Sequence, residues 1–452
     1  MNSSNPFSTI DRTIIADAFT SNETGEVLHT LCDAIGIRFA GTEGERLGAE
    51  YIARKFEEYG LDSVDIEEFG FDAWRRGDPA RLSVVGEDAR NIPCLALPYG
   101  APTSPGGVTA KMVDIGPGAA EDVERCREDI RGSIVFTVAT GAHRGEIYGR
   151  VVKAGAVGFV LHGRAPGMIL PTGCVSFGKA GAIPAVGLAH ESGLQIQRLS
   201  ERGDITLNLH TFDSFESGTS RNVVGELKGT RFPDEYVVVG GHMDSHDVAP
   251  GAVDNASGTT CVVETSRLLA LQRGEVERSI RFITFGAEEV GLLGSYHHAK
   301  AHSDEMAAIR FMLNLDCLAM SRPKGLVLHK LPGGEEYAKR LRSEFKEPLP
   351  FYDRVHAHSD HFPFVLKGVP TGEIGGGSFD PRVKSFAHMA GDTADKVSLI
   401  DLREESALAA RLLFRASNDP DWPFANRTPE EVKQLLKDSG IEEAMEYEHQ
   451  SV

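Results

Sequence analysis

The sequence predicts an α/β protein, with a mostly parallel mixed sheet flanked by helices and a β-rich insertion. Three observations carry that prediction. After Arg221, the apolar runs EYVVVGGH, RSIRFITFGAEE and RFMLNLDCL are separated by longer helical stretches. Continuous apolar strands alternating with helices indicate a parallel sheet covered on both faces. Between about Ala89 and Asp213 the pattern is different, with short β-like runs punctuated by glycine. The length, 452 residues, is large for one folding unit, and 41% hydrophobic with 25% charged residues suits an ordinary globular core.

The elements follow in chain order. LHTLCDAIG (28–36) and GERLGAEYIARKFEEYG (44–60) read as helices that stop at a glycine. In the second, Leu47, Tyr51, Ile52 and Phe56 share a face, which predicts a stripe against a core. KMVDIG, GSIVFTV, GAVGFVLHG and IPAVGLA predict four short strands in the middle of the chain, with a helix around 150–154. GTTCVVETSRLLALQ (258–272) reads as a helix between strands of the main sheet. Near the end, Thr428 is a cap, Pro429 fits the first helical position, Glu431 completes a capping box and Gly440 ends the helix.

Bulk properties exclude several classes. A diffuse net charge of −19 argues against nucleic acid and anionic membranes as partners. The six cysteines form no C-x-x-C pair, so a thiolate zinc knuckle is not expected, and so few suggest a reducing compartment. MNSSNPFSTIDRTII lacks a basic region followed by an apolar run, and no stretch approaches the ~20 apolar residues of a membrane span. A cytoplasmic location is therefore expected.

The chemistry concentrates at strand ends, where open α/β sheets place their sites. EYVVVGG runs into His242, RFITFGA into Glu288 and Glu289, and FMLNL into Asp316. Asp254 and His388 lie on loops that can reach the same edge. Imidazole and carboxylate are zinc ligands, and two ions need one bridging carboxylate plus terminal ligands. Asp244, two residues after His242, is placed to accept the other ring N–H of that histidine and fix its tautomer. Adjacent side chains such as Glu288 and Glu289 diverge, so one can be a ligand while the other serves as general base toward an activated water. Any one of these signals is commonplace; a solvated Glu-Glu pair or a helix-capping Asp is the ordinary reading. Their joint occurrence, in order, at strand ends and glycine-flanked loops is not.

GGHMDSHDVAPGAVDNASG (240–258), GAEEVGLLGS (286–295), NLDCLAM (314–320) and HMAGDTADKV (388–397) resemble motifs of the di-zinc aminopeptidase and glutamate carboxypeptidase family. HMDSHDVAPGAVD is especially similar to the carboxypeptidase Q subgroup, as are DAIGIRFAGTEGERLGAEYI and AWRRGD near the start. The resemblance implies a zinc-peptidase fold in two pieces, 1–88 and 214–452, with 89–213 a protease-associated insertion. It implies two Zn2+, with Co2+ or Mn2+ as alternatives. His242 would bind one ion and Asp254 would bridge both. Glu289 would be a ligand and Glu288 the base, with Asp316 and His388 completing the sites. A cis peptide at Asp254-Asn255 and a short peptide substrate are also implied; relatives are often dimers, which leaves a homodimer open.

One departure stands out. Many relatives carry a Tyr before the last histidine ligand, whereas Ala387 stands here, preceded by Phe386. His358 and His361, in HAHSDHFPF, are candidate oxyanion or substrate groups, and Asp360 resembles a position that supports the site. Gly375, Gly376 and Gly377 suggest a loop near it that needs close approach or flexibility. The reading is a metal-dependent exopeptidase. Its rivals are a co-catalytic zinc amidohydrolase or deacylase, a non-catalytic binding protein on the same fold, and a single-zinc cyclotransferase.

Overall fold

A computed structural model describes residues 5–87, 89–322, 324–375, 378–379 and 386–449. Two eight-stranded mixed sheets form its framework. The first runs in the order Ser63–Arg75, Ser214–Leu227, Arg278–Phe285, Phe232–His242, Ile309–Asn314, Thr371–Ile374, Leu326–Leu328 and Phe351–Asp353. Its centre is parallel: Phe232–His242 pairs in parallel with both Arg278–Phe285 and Ile309–Asn314, which pairs in parallel with Thr371–Ile374. The apolar runs are continuous because both faces are covered. Val237 and Val239 pack into one core cluster, while Val238 packs into another on the opposite face.

On the first face lie helices Ser8–Thr20, Glu43–Glu58, Ser257–Ala270 and Leu399–Asn418. On the second lie Leu293–Ala301 and His361–Leu366. Thr42 caps Glu43–Glu58, and Gly60, at φ +76°, turns the chain after it. The buried stripe of this helix is Gly48, Ala49, Ile52, Ala53 and Phe56. Leu47, expected on that stripe, is instead exposed, because the 3.6-residue rotation carries it past the edge of the contact. The stretch 28–36 is not a helix of its own. Helix Glu23–His29 runs into a wider turn at Thr30–Ile35, which Gly36 ends at φ +83°.

The second sheet runs Arg90–Ile92, Arg81–Val85, Thr206–His210, Val108–Asp114, Ile134–Thr137, Gly158–His162, Ala185–Leu188 and Cys94–Ala96. Helix Arg144–Lys153 covers one face through Ile147 and Val151, and helix His190–Ser200 covers the other through Ile196 and Leu199. This unit grows from the long ribbon of Ser63–Arg75 and Ser214–Leu227. Arg75 pairs directly with Ser214, so the chain leaves and re-enters the first sheet at one place. The strand Arg81–Val85 already belongs to the second sheet. The capping box of Thr428 and Glu431 forms as the sequence predicts, on helix Pro429–Asp438. Gly375 adopts φ +146°, a conformation that favours glycine, whereas Gly376 and Gly377 lie outside the described residues. No helix among the described residues is long and apolar enough to cross a membrane.

Candidate metal centre

His242 closes the strand Phe232–His242, and its two parallel neighbours deliver Glu288, Glu289 and Asp316 beside it. Asp254 sits just before helix Ser257–Ala270. Asn255 ties these segments together. Its amide donates to the carbonyls of His242 (3.3 Å) and Leu315 (3.0 Å), and its oxygen accepts from the N–H groups of Gly258 (2.9 Å) and Cys317 (3.1 Å). The Asp254-Asn255 peptide is cis, as the resemblance implies. Asp392 accepts the N–H groups of Val253 (2.8 Å) and Asp254 (3.1 Å), holding the same turn from the other side. Three non-glycine residues here adopt left-handed backbone: Ala287 (φ 55°), Cys317 (54°) and His388 (60°). Such conformations cost free energy and gather at functional sites.

The side chains converge in two groups that share Asp254. One Asp254 oxygen, Oδ1, lies 3.2 Å from His242 Nε2, which is also 3.5 Å from Asp316 Oδ1 and 3.8 Å from Glu288 Oε2. The other, Oδ2, lies 2.9 Å from His388 Nε2, which is 3.4 Å from Glu289 Oε2. His246 Nε2 joins the second group, 2.8 Å from Glu289 Oε2. His242 Nε2, Glu289 Oε1 and Asp316 Oδ1 are buried and have no hydrogen-bond partner. Buried polar atoms are nearly always paired, so atoms left bare and aimed at common points fit metal ligation. The donor set of imidazole and carboxylate suits zinc.

Asp244 is fully buried beside this set. Its carboxylate accepts the N–H groups of Glu288 (3.1 Å) and Glu289 (3.2 Å), and Oδ1 stands 3.5 Å from His242 Nδ1, which is nearer the Asp244 carbonyl at 3.2 Å. The backbone carbonyl, rather than the expected carboxylate, is thus the nearer acceptor for the histidine ring, while the carboxylate holds the turn that carries both glutamates. Burial, followed by the charges of Asp360, Glu289 and Asp316, pushes the Glu288 carboxyl well up against the pull of His242. Burial and then Asp254 push Glu289 up to about 8. Asp254 is also pushed up by burial, but its contacts with His242 and His388 outweigh that and hold it well down. In His242, burial is outweighed by Glu288, Asp244, Asp254 and Asp316, which raise it well above its ordinary value.

The sequence candidates around 358–361 separate. His358 lines the cleft above the centre. Asp360 is fully buried, its carboxyl pushed up to about 7 by burial and by Asp316, against the pull of His242. His361 does not line the cleft. The helix His361–Leu366 turns it inward, where it stacks on His329 with ring centroids 4.0 Å apart. The cleft, about 180 Å³, also takes His143, Arg144 and Phe177 from the second sheet's unit. Arg144 donates from Nε to the carbonyl of Cys174 at 2.9 Å. The sequence gives no signal for these three, because they sit at the start of a helix and in a loop far from any strand end of the main sheet. His246 could have been found, since it repeats the His-x-x-x-His spacing from His242. A larger cavity of about 540 Å³, lined by Ile15, Phe19, Leu349 and Arg411, holds none of these residues. Volume is therefore a poorer guide here than convergent polar groups.

Fold and centre together define a metallohydrolase-type α/β protein with a shared-carboxylate pair of ligand groups. Residues 222–413 match the model of peptidase family M28. Aminopeptidase YwaD of Bacillus subtilis (strain 168) is 29% identical over 93% of this chain and 88% of its own length. Carboxypeptidase Q of Bos taurus is 26% identical over 86% and 83% respectively. Among solved structures, BSAP, a zinc aminopeptidase from Bacillus subtilis, superposes with a TM-score of 0.67 at 26% identity, covering 88% of this chain and 96% of its own. A peptidase M28 precursor from Shewanella amazonensis SB2B shares the fold at a TM-score of 0.78 and 22% identity, over 93% and 98%.

Proposed function

We propose that this chain is a metal-dependent exopeptidase that hydrolyses a terminal peptide bond of short peptides. The carrying observation is the division of the Asp254 carboxylate, one oxygen toward His242 and Asp316 and the other toward His388 and Glu289. That geometry supports two zinc positions, with His242, Asp254 and Asp316 at one and His388, Asp254 and Glu289 at the other. When bound, zinc supplies electrophilic polarisation of the scissile carbonyl and lowers the pKa of a water to about 7.

The chain's own residues do the rest. Glu288 takes the proton of the attacking water as its oxygen bonds to the carbonyl carbon. It then delivers that proton to the leaving amine as the C–N bond breaks. Its burial favours this shuttle, because a carboxyl whose protonated form is stabilised can hold the proton between the two steps. Asp244 aims Glu288 and orients His242. His143 and Arg144, on the opposite wall, place positive charge and ring N–H groups where substrate carbonyl or carboxylate oxygens would lie, a role that would otherwise fall to a Tyr at Ala387. The second sheet's unit acts in this reading as a protease-associated domain that walls the cleft. The six cysteines are all free, which supports a reducing compartment such as the cytoplasm.

Aminoacyl and γ-glutamyl dipeptides, N-blocked and C-blocked, assayed with and without chelator, test the proposal. Chelator-sensitive cleavage that disappears on blocking one terminus supports it. Activity confined to N-acyl amino acids would favour the deacylase reading. The absence of both stoichiometric zinc and turnover would favour a binding protein.

A further inference from the structure

A second constellation of ligating groups lies outside the cleft. His329, His361 and Glu373 present ligand atoms that all fall within 4.8 Å of one another. They come from three elements of the main sheet's far half: the residue after strand Leu326–Leu328, the start of helix His361–Leu366, and strand Thr371–Ile374. Both histidines are fully buried, and Glu373 is 14% exposed.

The hydrogen bonds of this cluster leave a conflict. The carbonyl of His356 lies 3.0 Å from His361 Nε2, so that nitrogen carries the ring proton. His361 Nδ1 is then a lone pair, and it stands 3.2 Å from Glu373 Oε1 with no hydrogen bond between them. At His329 the Thr371 hydroxyl, which can donate or accept, lies 2.7 Å from Nδ1, while Nε2 lies 3.7 Å from Glu373 Oε2 and has no hydrogen-bond partner. The His361 lone pair, buried against the carboxylate, repels it unless a proton or a metal cation sits between them.

Another cluster supplies the contrast. There Glu67 takes His298 Nδ1 at 3.0 Å and His302 Nε2 at 2.8 Å as ordinary hydrogen bonds, so the carboxylate is satisfied, although His298 Nε2 has no partner. Around Glu373, among the described residues, His356 alone does so, with Nε2 at 2.9 Å from Oε1 and Nδ1 accepting the N–H of His358 at 3.3 Å.

We infer that His329 Nε2, His361 Nδ1 and Glu373 form a further binding site for a divalent transition-metal ion of the zinc class, distinct from the cleft. The two histidine nitrogens face different oxygens of the one carboxylate, His361 Nδ1 at 3.2 Å from Oε1 and His329 Nε2 at 3.7 Å from Oε2, and imidazole with carboxylate is a zinc-type donor set. The outer hydrogen bonds are those that metal-bound histidines make, to a carbonyl for His361 and to a hydroxyl for His329. His356 orients the carboxylate, and its 37% exposed side chain marks the side from which an ion enters. Three protein ligands leave a position for water. The site would pin Thr371–Ile374 and the start of His361–Leu366 together, next to Asp360 in the chain.

The test is a metal count by mass spectrometry on the full chain after equilibration with zinc and removal of excess, for the wild type, Glu373→Gln, His329→Gln and a His298→Gln control. The wild type should hold one equivalent more than Glu373→Gln and His329→Gln, and His298→Gln should match the wild type. Equal counts in all four would overturn the inference. If a variant fails to fold, anomalous diffraction at the zinc edge on wild-type crystals decides: a peak bounded by His329, His361 and Glu373 supports the site, and its absence at saturating zinc overturns it. Peaks at Asp254 are read separately, so this inference and the proposed function stand or fall independently.

Discussion

Arg150 and Glu443 form a two-pronged ion pair, with Nε and the terminal nitrogen 2.6 and 2.7 Å from the two carboxylate oxygens. Arg150 lies on the helix that begins at Arg144 in the cleft wall, and Glu443 lies on the C-terminal helix Glu442–Tyr447. The tail thus straps the second sheet's unit to the main one. A few residues on, Glu448 enters the cleft wall and engages His143 Nδ1 and, at 2.8 Å, His358 Nε2. Burial favours the neutral form of Glu448, but the two histidines hold its carboxyl far below the usual range.

This linkage gives the first prediction. Glu448→Gln removes a buried charge shared by one histidine from each unit, and charged hydrogen bonds of this kind contribute about 1.5–3 kcal/mol each. The variant should raise KM by about tenfold or more for short peptides while zinc content stays at the wild-type level. Steady-state kinetics beside a metal assay checks it; an unchanged KM would remove His143 and His358 from substrate positioning.

Glu288→Gln should keep the metal and lose turnover. The amide preserves the size and the contacts to Asp244, which run through the backbone N–H and not the side chain. What it loses is the capacity to carry a proton, a contribution of about 10²–10⁴-fold. The measurement is kcat together with zinc stoichiometry. A variant that stays active assigns the base elsewhere, and one that loses zinc makes Glu288 a ligand.

How far the sequence reached is visible at this centre. His242, Glu288, Glu289 and Asp316 were legible because a parallel sheet carries strand ends to one edge, and strand ends show as apolar runs. Asp254 and His388 needed motif wording, since nothing in local periodicity places a loop. His143 and Arg144 were invisible: whether the start of a helix in one unit faces the centre of another is set by docking, through Arg150 and Glu443 among others. The pairing of Arg75 with Ser214, which opens the inserted unit, is likewise a long-range register that local pattern does not encode. Helix Ser8–Thr20 gives little sequence signal because only Asp11, Ile14 and Ala18 on it are buried, too sparse a stripe to read as amphipathic.

Asp392→Ala should weaken metal binding although Asp392 is not itself placed as a ligand. Its carboxylate holds the N–H groups of Val253 and Asp254 and so sets the direction of the shared carboxylate. Outer partners of metal ligands are worth about 10–100-fold in affinity. Competition with a chromogenic chelator should show a fall of that size, and Asp392→Asn should recover only part of it, because the amide has one acceptor oxygen for two donors. An Ala variant with wild-type affinity would reduce Asp392 to packing.

Asp11 and Arg415 offer a pH test away from the centre. Arg415 donates to both Asp11 oxygens at 2.8 and 2.9 Å, and from Nε to Glu344 at 2.8 Å, with Asp11 and Arg415 both buried. The pair fastens helix Ser8–Thr20 to helix Leu399–Asn418. Burial pushes the Asp11 carboxyl up, but the guanidinium more than reverses this and leaves it below its ordinary value. A carboxyl lowered in the folded state adds stability that is present above its unfolded pKa, about 3.9, and is lost as pH falls through the folded value. Arg415→Met removes the principal cation from two buried carboxylates, leaving Asp11 with Arg411 at 3.3 Å and Glu344 with Arg340 at 3.8 Å, and should cost up to about 3 kcal/mol at pH 7. In the variant Asp11 keeps its burial and loses the nearer of its two cations, with Arg411 remaining, so its pKa rises and acid relieves the weakly compensated charge. The stability gap between wild type and variant should therefore be widest near neutrality and should shrink as pH falls toward 4. Urea unfolding of both proteins from pH 7 to pH 4 measures it; a gap that stays constant would mean the arginine acts by packing on Phe7 and Phe345 rather than through its charge.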